Sequence, residues 1–380
     1  MTSSARDPVG LCQALIRCPS ITPLDAGAQD ILIKALQPLG FEVYDVTRGE
    51  VRNTFFRIGT DGQHLCFAGH TDVVPPGDET KWTHPPFSAY IDDNGVMTGR
   101  GTADMKGNVA AFVAAAAQYI EDNGPPKGSL SFLITGDEEG KAVDGTEPVL
   151  RWMEERGHIP DFCLVAEPSN PEKIGEVMKI GRRGSINCII TMKGKQGHVA
   201  YPHKADNPIP RMSQLLSALT SHDLDTGSDF FPPSSLQIST VDVGNPAHNI
   251  IPGKISATFN VRFNDLWSSD KLKRHLRDLM KDYLGADDEI EWHCHGESFL
   301  TRPCEYTDMA VEAIKDITGS DPALKTDGGT SDARFVQAYC PVVEFGLVNK
   351  SIHQIDENIK VDDLKTVTSV FKRLLEKFYA

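Results

Sequence analysis

Two adjacent glutamates, in Thr135-Gly136-Asp137-Glu138-Glu139-Gly140, stand where an apolar run, Leu130 to Ile134, comes to an end. Such a run reads as a buried strand, and neighbouring side chains at its end face different directions. The pair can divide labour, one carboxylate holding a metal while the other moves a proton. Alone, paired glutamates in an acidic protein are ordinary solvated surface. Four other places in the chain change that reading. His70-Thr71-Asp72 sets an imidazole and a carboxylate two residues apart, so in extended backbone both point the same way. Asp104 lies in a glycine-rich turn, Gly99 to Gly107, Glu167-Pro168 closes another apolar run, and His353 follows Phe345-Gly346-Leu347. His70, Asp104, Glu139, Glu167 and His353 form a donor set of two imidazoles and three carboxylates. One ion does not need them all. Two ions about 3.5–4 Å apart do, if one carboxylate bridges, and such a pair activates a shared water and polarises a carbonyl. Asp72 is placed to receive the second ring N–H of His70.

The elements that must position these residues alternate between strand and helix. Asp7-Pro8 opens a helix with Cys12, Leu15 and Ile16 on one face. A helix from about Ala28 to Leu39 is closed by Gly40, and Val109 to Ile120 is an alanine-rich helix. Phe41–Val46, His64–Ala68, Leu130–Ile134 and Phe162–Val165 read as strands, several of the buried parallel kind. The fold class expected is α/β, a mostly parallel central sheet flanked by helices, with ligands at the carboxyl ends of strands. His70, Glu139 and Glu167 each come just after a strand. After Gly184 the order becomes β-α-β-β-α-β, a ferredoxin-like α+β arrangement, which reads as an inserted domain. The organisation expected is residues 1–183 and 297–380 in one domain, with 184–296 inserted. Helices near 305–318 and 331–339, a strand from Pro341 to Leu347 and a final helix from about Asp362 complete the first domain.

At 380 residues the chain suits two domains, with 40% hydrophobic and 24% charged residues. Its net charge of −15 argues against nucleic acid and anionic membranes as partners. The first seven residues lack an apolar signal core and no run is long enough to span a bilayer. Eight scattered cysteines without a Cys-x-x-Cys pair suit a reduced, cytoplasmic protein. His293-Cys294-His295 sets three potential ligands in a row, but strand alternation turns Ile290, Trp292 and Cys294 inward and Glu291, His293 and His295 outward, which makes the cluster structural.

The segments Gly69-His-Thr-Asp-Val-Val-Pro-Pro-Gly-Asp78, Gly99-Arg-Gly-Thr-Ala-Asp-Met-Lys-Gly107, Asp137-Glu-Glu-Gly140 and Ala166-Glu-Pro-Ser169 resemble the co-catalytic zinc aminoacylase/carboxypeptidase family, M20. The resemblance covers nearly the whole chain. It implies two Zn2+ per subunit, with Co2+ able to replace one. His70 and Glu167 would hold one ion, Glu139 and His353 the other, and Asp104 would bridge. Glu138 would be the general base that activates the shared water and later protonates the leaving amine, with Asp72 orienting His70. A cis peptide between Asp104 and Met105 is implied too.

Further segments, Gly181-Arg-Arg-Gly-Ser-Ile186, Gly194 to Pro202, Gly244 to Gly253, Phe259 to Phe263 and Gly328 to Asp332, are similar to those of family members acting on N-succinyl-L,L-2,6-diaminopimelate. A small substrate with three carboxylates requires cations in an acidic protein, and Arg182 and Arg262 suit that need through bidentate guanidinium pairing. Tyr201, Asn249, Thr330 and Asn349 can donate hydrogen bonds, and Gly328 and Gly329 can offer backbone N–H groups. The resemblance assigns His198 to the oxyanion site of a partner subunit, which requires a homodimer. Related deacylases, such as an acetylornithine deacetylase or a dipeptidase, share the metal set and differ in the pocket arginines and the 244–253 segment. A non-catalytic metal- or peptide-binding member is disfavoured by an intact Glu138.

Overall fold

The computed structural model describes residues 5–380; the reading of Met1 to Ser4 as free of a signal core lies outside them. The chain divides into two compact units. The larger comprises the chain up to Ile180 together with Thr301–Lys325 and Ser331–Ala380, and the smaller comprises Gly181–Leu300 and Thr326–Thr330.

The larger unit is built on an eight-stranded sheet in the spatial order Glu42–Asp45, Thr54–Ile58, Ser129–Thr135, His64–His70, Phe162–Val165, Val342–Glu344, Val177–Lys179 and Ala323–Lys325. Ser129–Thr135, His64–His70, Phe162–Val165 and Val342–Glu344 run parallel. Their carboxyl ends therefore share one edge, and the loops carrying Glu139, Glu167 and His353 leave from it, while Asp104 comes from a turn after Val96–Thr98 of a separate sheet. Ser129–Thr135 and His64–His70 are buried at every position, as strands covered on both faces must be. Thr54–Ile58, which the apolar pattern does not reveal, adds antiparallel to Ser129–Thr135.

Helix Gly107–Asn123 is buried along most of its length through Ala110, Ala111 and Ala114 to Ala117. These small side chains let it lie close to the C-terminal helix, Val361–Phe378. Phe67 and Phe112 stack with centroids 3.6 Å apart, and Phe132 and Phe371 meet Phe67 edge-on at 5.8 and 5.7 Å. Helix Pro8–Ile16 begins as its sequence dictates, the Asp7 carboxylate accepting from Val9 N at 3.0 Å. Lys106, fully buried, donates to Leu15 O at 3.0 Å and Cys18 O at 2.7 Å, a second partner for carbonyls that also accept from Cys18 N and Ser20 N. The helix expected over 331–339 shrinks to Ala333–Val336. The residues ahead of it are committed elsewhere: Ser331 Oγ donates to the Glu344 carboxylate, and Thr146 Oγ1 donates to Asp332 Oδ2 at 2.6 Å.

The smaller unit holds an antiparallel four-stranded sheet in the order Ser235–Asp242, Lys254–Phe263, Gly184–Lys193, Glu289–Gly296. Helices Pro208–Thr220 and Ser269–Met280 bury Met212, Leu215, Leu272 and Leu276 in a core with Ile186, Phe259 and Val261. This is the β-α-β-β-α-β order expected. A short ladder of Gly181–Arg182 with Phe299–Leu300 closes the unit at its base, beyond the expected limits of 184 and 296. Residues 326–330, assigned from sequence to the other domain, are tied in by Thr326 Oγ1 donating to Phe230 O at 2.6 Å. Cys294, expected to face inward, is exposed. It sits in the outer strand where the pairing slips, Ser185 opposite Gly296 and Ile186 opposite Cys294. Ile290 and Trp292 do pack on the core. No helix among the described residues is long and apolar enough to cross a membrane.

Phe67 supports helix and sheet at once, so Phe67→Ala is expected to remove about 3–5 kcal/mol from the larger unit. Urea unfolding measures it, and a loss below about 1 kcal/mol contradicts the packing described.

Candidate metal centre

The edge shared by the parallel strands gathers His70, at the last position of its strand, with the residues of three loops. Thr135 leads into Asp137–Glu139, Val165 into Glu167, and Glu344 into the segment that carries His353. Asp104 comes from the glycine-rich turn, where the peptide to Met105 is cis.

Two donor sets have Asp104 in common. His70, Asp104 and Glu167 form the first, Asp104, Glu139 and His353 the second, a third joins His70 to Glu138 and Glu139, and in each set one nitrogen or oxygen per residue lies within 4.8 Å of the others. His70 Nε2 is 3.4 Å from Asp104 Oδ1, and His353 Nε2 is 3.3 Å from Asp104 Oδ2 and 2.9 Å from Glu139 Oε1. The two oxygens of Asp104 thus face different imidazoles. Glu138 Oε2 stands 3.9 Å from His70 Nε2, beside the two sets that share Asp104.

Charge makes this arrangement demanding. Burial, with Asp104 and Glu138 close by, pushes the Glu167 carboxyl well above the usual carboxylate range. Burial does the same to Glu138, helped by Asp332 and Glu139. Burial opposes charge on Asp104 as well, but the His353 and His70 rings beside it hold it below the ordinary range. His353 is raised to about 10 by Asp104 and Glu139, and His70 is raised despite its burial by Asp104, Asp72 and Glu138. Divalent cations answer that excess of negative charge. His70 Nε2 and Asp104 Oδ1 are buried without a hydrogen-bond partner among the described residues. Orphaned donor atoms in a pocket of imidazole and carboxylate fit zinc-type coordination.

Around the centre, backbone groups hold the side chains. His70 Nδ1 bonds the Asp72 main-chain oxygen at 2.9 Å, with the Asp72 carboxylate at 3.6 Å. That carboxylate, fully buried, accepts instead from Glu138 N at 3.3 Å and Glu139 N at 3.1 Å. Asp72 therefore aims both the histidine and the glutamate pair. Asp137, which the sequence reading passes over, accepts from Lys141 N, Val143 N and Asp144 N at 3.0, 3.0 and 3.2 Å. An Asp ahead of a glycine, folding the chain around its own side chain, is the signal that reveals it. Glu357 is also missed; nothing in its sequence neighbourhood marks it, because its partners lie some 250 residues earlier.

The remaining expected residues fall into separate groups. Asn349, in the larger unit, is anchored by its N–H to Asn170 O at 2.8 Å. In the smaller unit His198 and Tyr201 are exposed, with their rings 5.7 Å apart. Asn249 joins them through Val199 N to Asn249 O at 3.0 Å. Arg182 Nη1 donates to Gly329 O at 3.1 Å, with Thr330 next in the chain. Gly328 lies at φ 104°, a backbone conformation that favours glycine, and Arg182 Nη1 lies where a Cβ would point, 2.6 Å from it. Arg262 is half-buried, its Nη1 without a hydrogen-bond partner among the described residues. Burial and the neighbouring charges of Arg183 and Arg182 push it below its usual value. Arg183, absent from the expected set, also has a buried Nε without a partner among those residues. Arg183 and Arg262, each with a buried nitrogen of this kind, are suited to an anion.

With this geometry in place, similarities to known proteins can be stated. The profile of peptidase family M20/M25/M40 matches residues 66–377. The chain is 50% identical over 381 residues to a succinyl-diaminopimelate desuccinylase of Rhodospirillum centenum, covering 99% of this chain and 98% of that protein. It is 52% identical over 383 residues to one of Granulibacter bethesdensis, covering 98% of each. Among solved structures, an M20 family metallo-carboxypeptidase from Sulfolobus solfataricus superposes with TM-score 0.80 at 17% identity, covering 98% of this chain and 99% of that one. A dinuclear metal-binding M20 peptidase of Bacillus subtilis does so with TM-score 0.73 at 16% identity, covering 97% and 96%.

Asp137→Ala leaves three loop N–H groups without their acceptor and is expected to cost about 1–3 kcal/mol, read by thermal or urea unfolding. Unchanged stability contradicts the role given to its carboxylate.

Proposed function

Because the chain belongs to peptidase family M20/M25/M40 and is a hydrolase, we propose that it cleaves the succinyl amide of N-succinyl-L,L-2,6-diaminopimelate, giving succinate and L,L-2,6-diaminopimelate. The observation that carries the reaction class is Asp104, shared between two ligand sets with Glu138 beside them. The substrate rests on the full-length relatives of about half identity.

His70 and Glu167 would hold one zinc ion, Glu139 and His353 the other, with Asp104 common to both; Co2+ is an allowed replacement in one site. When bound, the ions supply Lewis acidity toward the amide carbonyl and make water more acidic. Glu138, outside the two sets that share Asp104 and with a carboxyl that burial has made more basic, takes the proton of the attacking water. It then delivers that proton to the departing amine, so the C–O bond forms and the C–N bond breaks without net proton change. Asp72 holds the backbone of Glu138 during both transfers. The substrate's carboxylates would be met by Arg182 and Arg262, with Tyr201, Asn249, Gly329, Thr330 and Asn349 as hydrogen-bonding groups.

The partner subunit's His198 would donate to the oxyanion, making the homodimer the working unit. The exposure of His198, Val199 and Tyr201 supports that reading, since an exposed loop of this kind is available to a second copy. The same reading places the chain in the cytoplasm, compatible with eight free cysteines.

Metal-free protein refilled with zinc is expected to hydrolyse N-succinyl-L,L-2,6-diaminopimelate and to leave N-acetylornithine essentially untouched. Preference for N-acetylornithine overturns the substrate, and no turnover of either with two zinc ions bound overturns the activity. Glu138→Gln is expected to keep its zinc and lose at least about 10³-fold in kcat; near-normal turnover removes Glu138 as the base.

A further inference from the structure

We infer that Glu357 is a positioning residue that sets Asp104 and His353 in register with each other. The inference rests on the reading that these two residues hold cations. Glu357 is fully buried, and its carboxylate is saturated by the turn that carries Asp104. Oε1 accepts from Ala103 N at 2.9 Å and Asp104 N at 3.1 Å, while Oε2 accepts from Gly101 N at 3.1 Å and Arg100 Nη1 at 2.8 Å. Its main-chain oxygen takes Gly99 N at 2.8 Å. The turn therefore folds around one side chain from a distant part of the chain. Gly101, at φ 89°, permits the wrap, since a Cβ there would lie 2.7 Å from Val73 Cγ1.

Arg100 carries the connection onward. Nearly fully buried, it donates from Nη2 to His353 O at 3.4 Å and Pro75 O at 3.5 Å. His353 and Asp356 both adopt left-handed backbone, at φ 60° and 59°, so the loop from His353 to Glu357 is tightly wound. Strand Asn358–Lys360 then pairs with Val96–Thr98, bringing the two segments together at their roots. One carboxylate and one guanidinium thus fix the backbone of Asp104 and of His353 as a unit. The loop has a separate tether, Asp356, which accepts from Thr83 N at 2.8 Å and Thr83 Oγ1 at 2.7 Å.

Glutamine cannot replace Glu357 cleanly. Its single oxygen serves either the Ala103–Asp104 pair or the Gly101–Arg100 pair, and its NH2 meets donors at the other. Partners that orient metal ligands typically change metal affinity 10–100-fold when altered. Glu357→Gln is therefore expected to weaken zinc binding by about 10–100-fold in chelator competition and to lower kcat at limiting zinc. KM stays within about twofold, and saturating zinc restores part of the rate. Glu357→Asp, which keeps the charge opposite Arg100 and shortens the reach, is expected to lie between, and it carries the test if the Gln variant does not fold. Thr83→Ala loosens the loop without touching Asp104 and is expected to leave zinc affinity unchanged. Folded Glu357 variants that bind zinc as tightly as the parent overturn the inference, as does an equal loss in Thr83→Ala. Failure of the unaltered chain to bind zinc overturns instead the metal reading on which it rests.

Discussion

Crowded negative charge at one sheet edge is the constraint on which the larger unit depends. Asp104, Glu138, Glu139 and Glu167 stand within a few ångströms of two imidazoles, in surroundings where an uncompensated carboxylate costs several kcal/mol. The fold meets that cost with opposite charge and with directed donors. Asp104 is shared by His70 and His353, Asp72 draws in the backbone of the glutamate pair, and the parallel strands supply rigid roots for His70, the glutamate pair and Glu167. In the proposed chemistry the same crowding separates two kinds of carboxylate: Asp104, Glu139 and Glu167 would hold cations, while Glu138 would exchange a proton.

The smaller unit answers the complementary problem. A protein of net charge −15 that binds a tricarboxylate must concentrate cations locally, and Arg182, Arg183 and Arg262 are the groups proposed to do so. The buried Arg183 Nε and Arg262 Nη1, without a hydrogen-bond partner among the described residues, are tolerable because guanidinium is weakly hydrated and remains charged when buried.

Much of this was legible in the residues. Apolar runs ending in His, Glu-Glu and Glu-Pro gave the central strands and the ligands at their ends, because buried parallel strands are nearly continuous in apolar residues. The β-α-β-β-α-β order was legible for a related reason: Ile186, Phe259 and Val261 alternate with polar neighbours across a half-covered sheet. What escaped depends on partners remote in sequence. Glu357 reads as one more acidic residue in a polar loop until the turn at Gly101 folds around it. Thr54–Ile58 is a strand because Ser129–Thr135 lies beside it, not because of strong periodicity of its own. The 331–339 helix failed because tertiary bonds claimed Ser331 and Asp332, and Cys294 escaped burial through a slip in pairing that alternation alone does not foresee. Asp137 and Arg183 carried local signals, an Asp-initiated turn and a second arginine beside the first, that were available and outweighed by more familiar neighbours.

Anomalous diffraction at the zinc edge from crystals of the zinc-loaded protein tests the two-cation centre most directly. Two peaks are expected, one among His70, Asp104 and Glu167 and one among Asp104, Glu139 and His353, with Glu138 bound to neither. A single peak, or an ion held by Glu138 in place of one of these residues, would contradict both the shared role of Asp104 and the free carboxylate on which the chemistry depends.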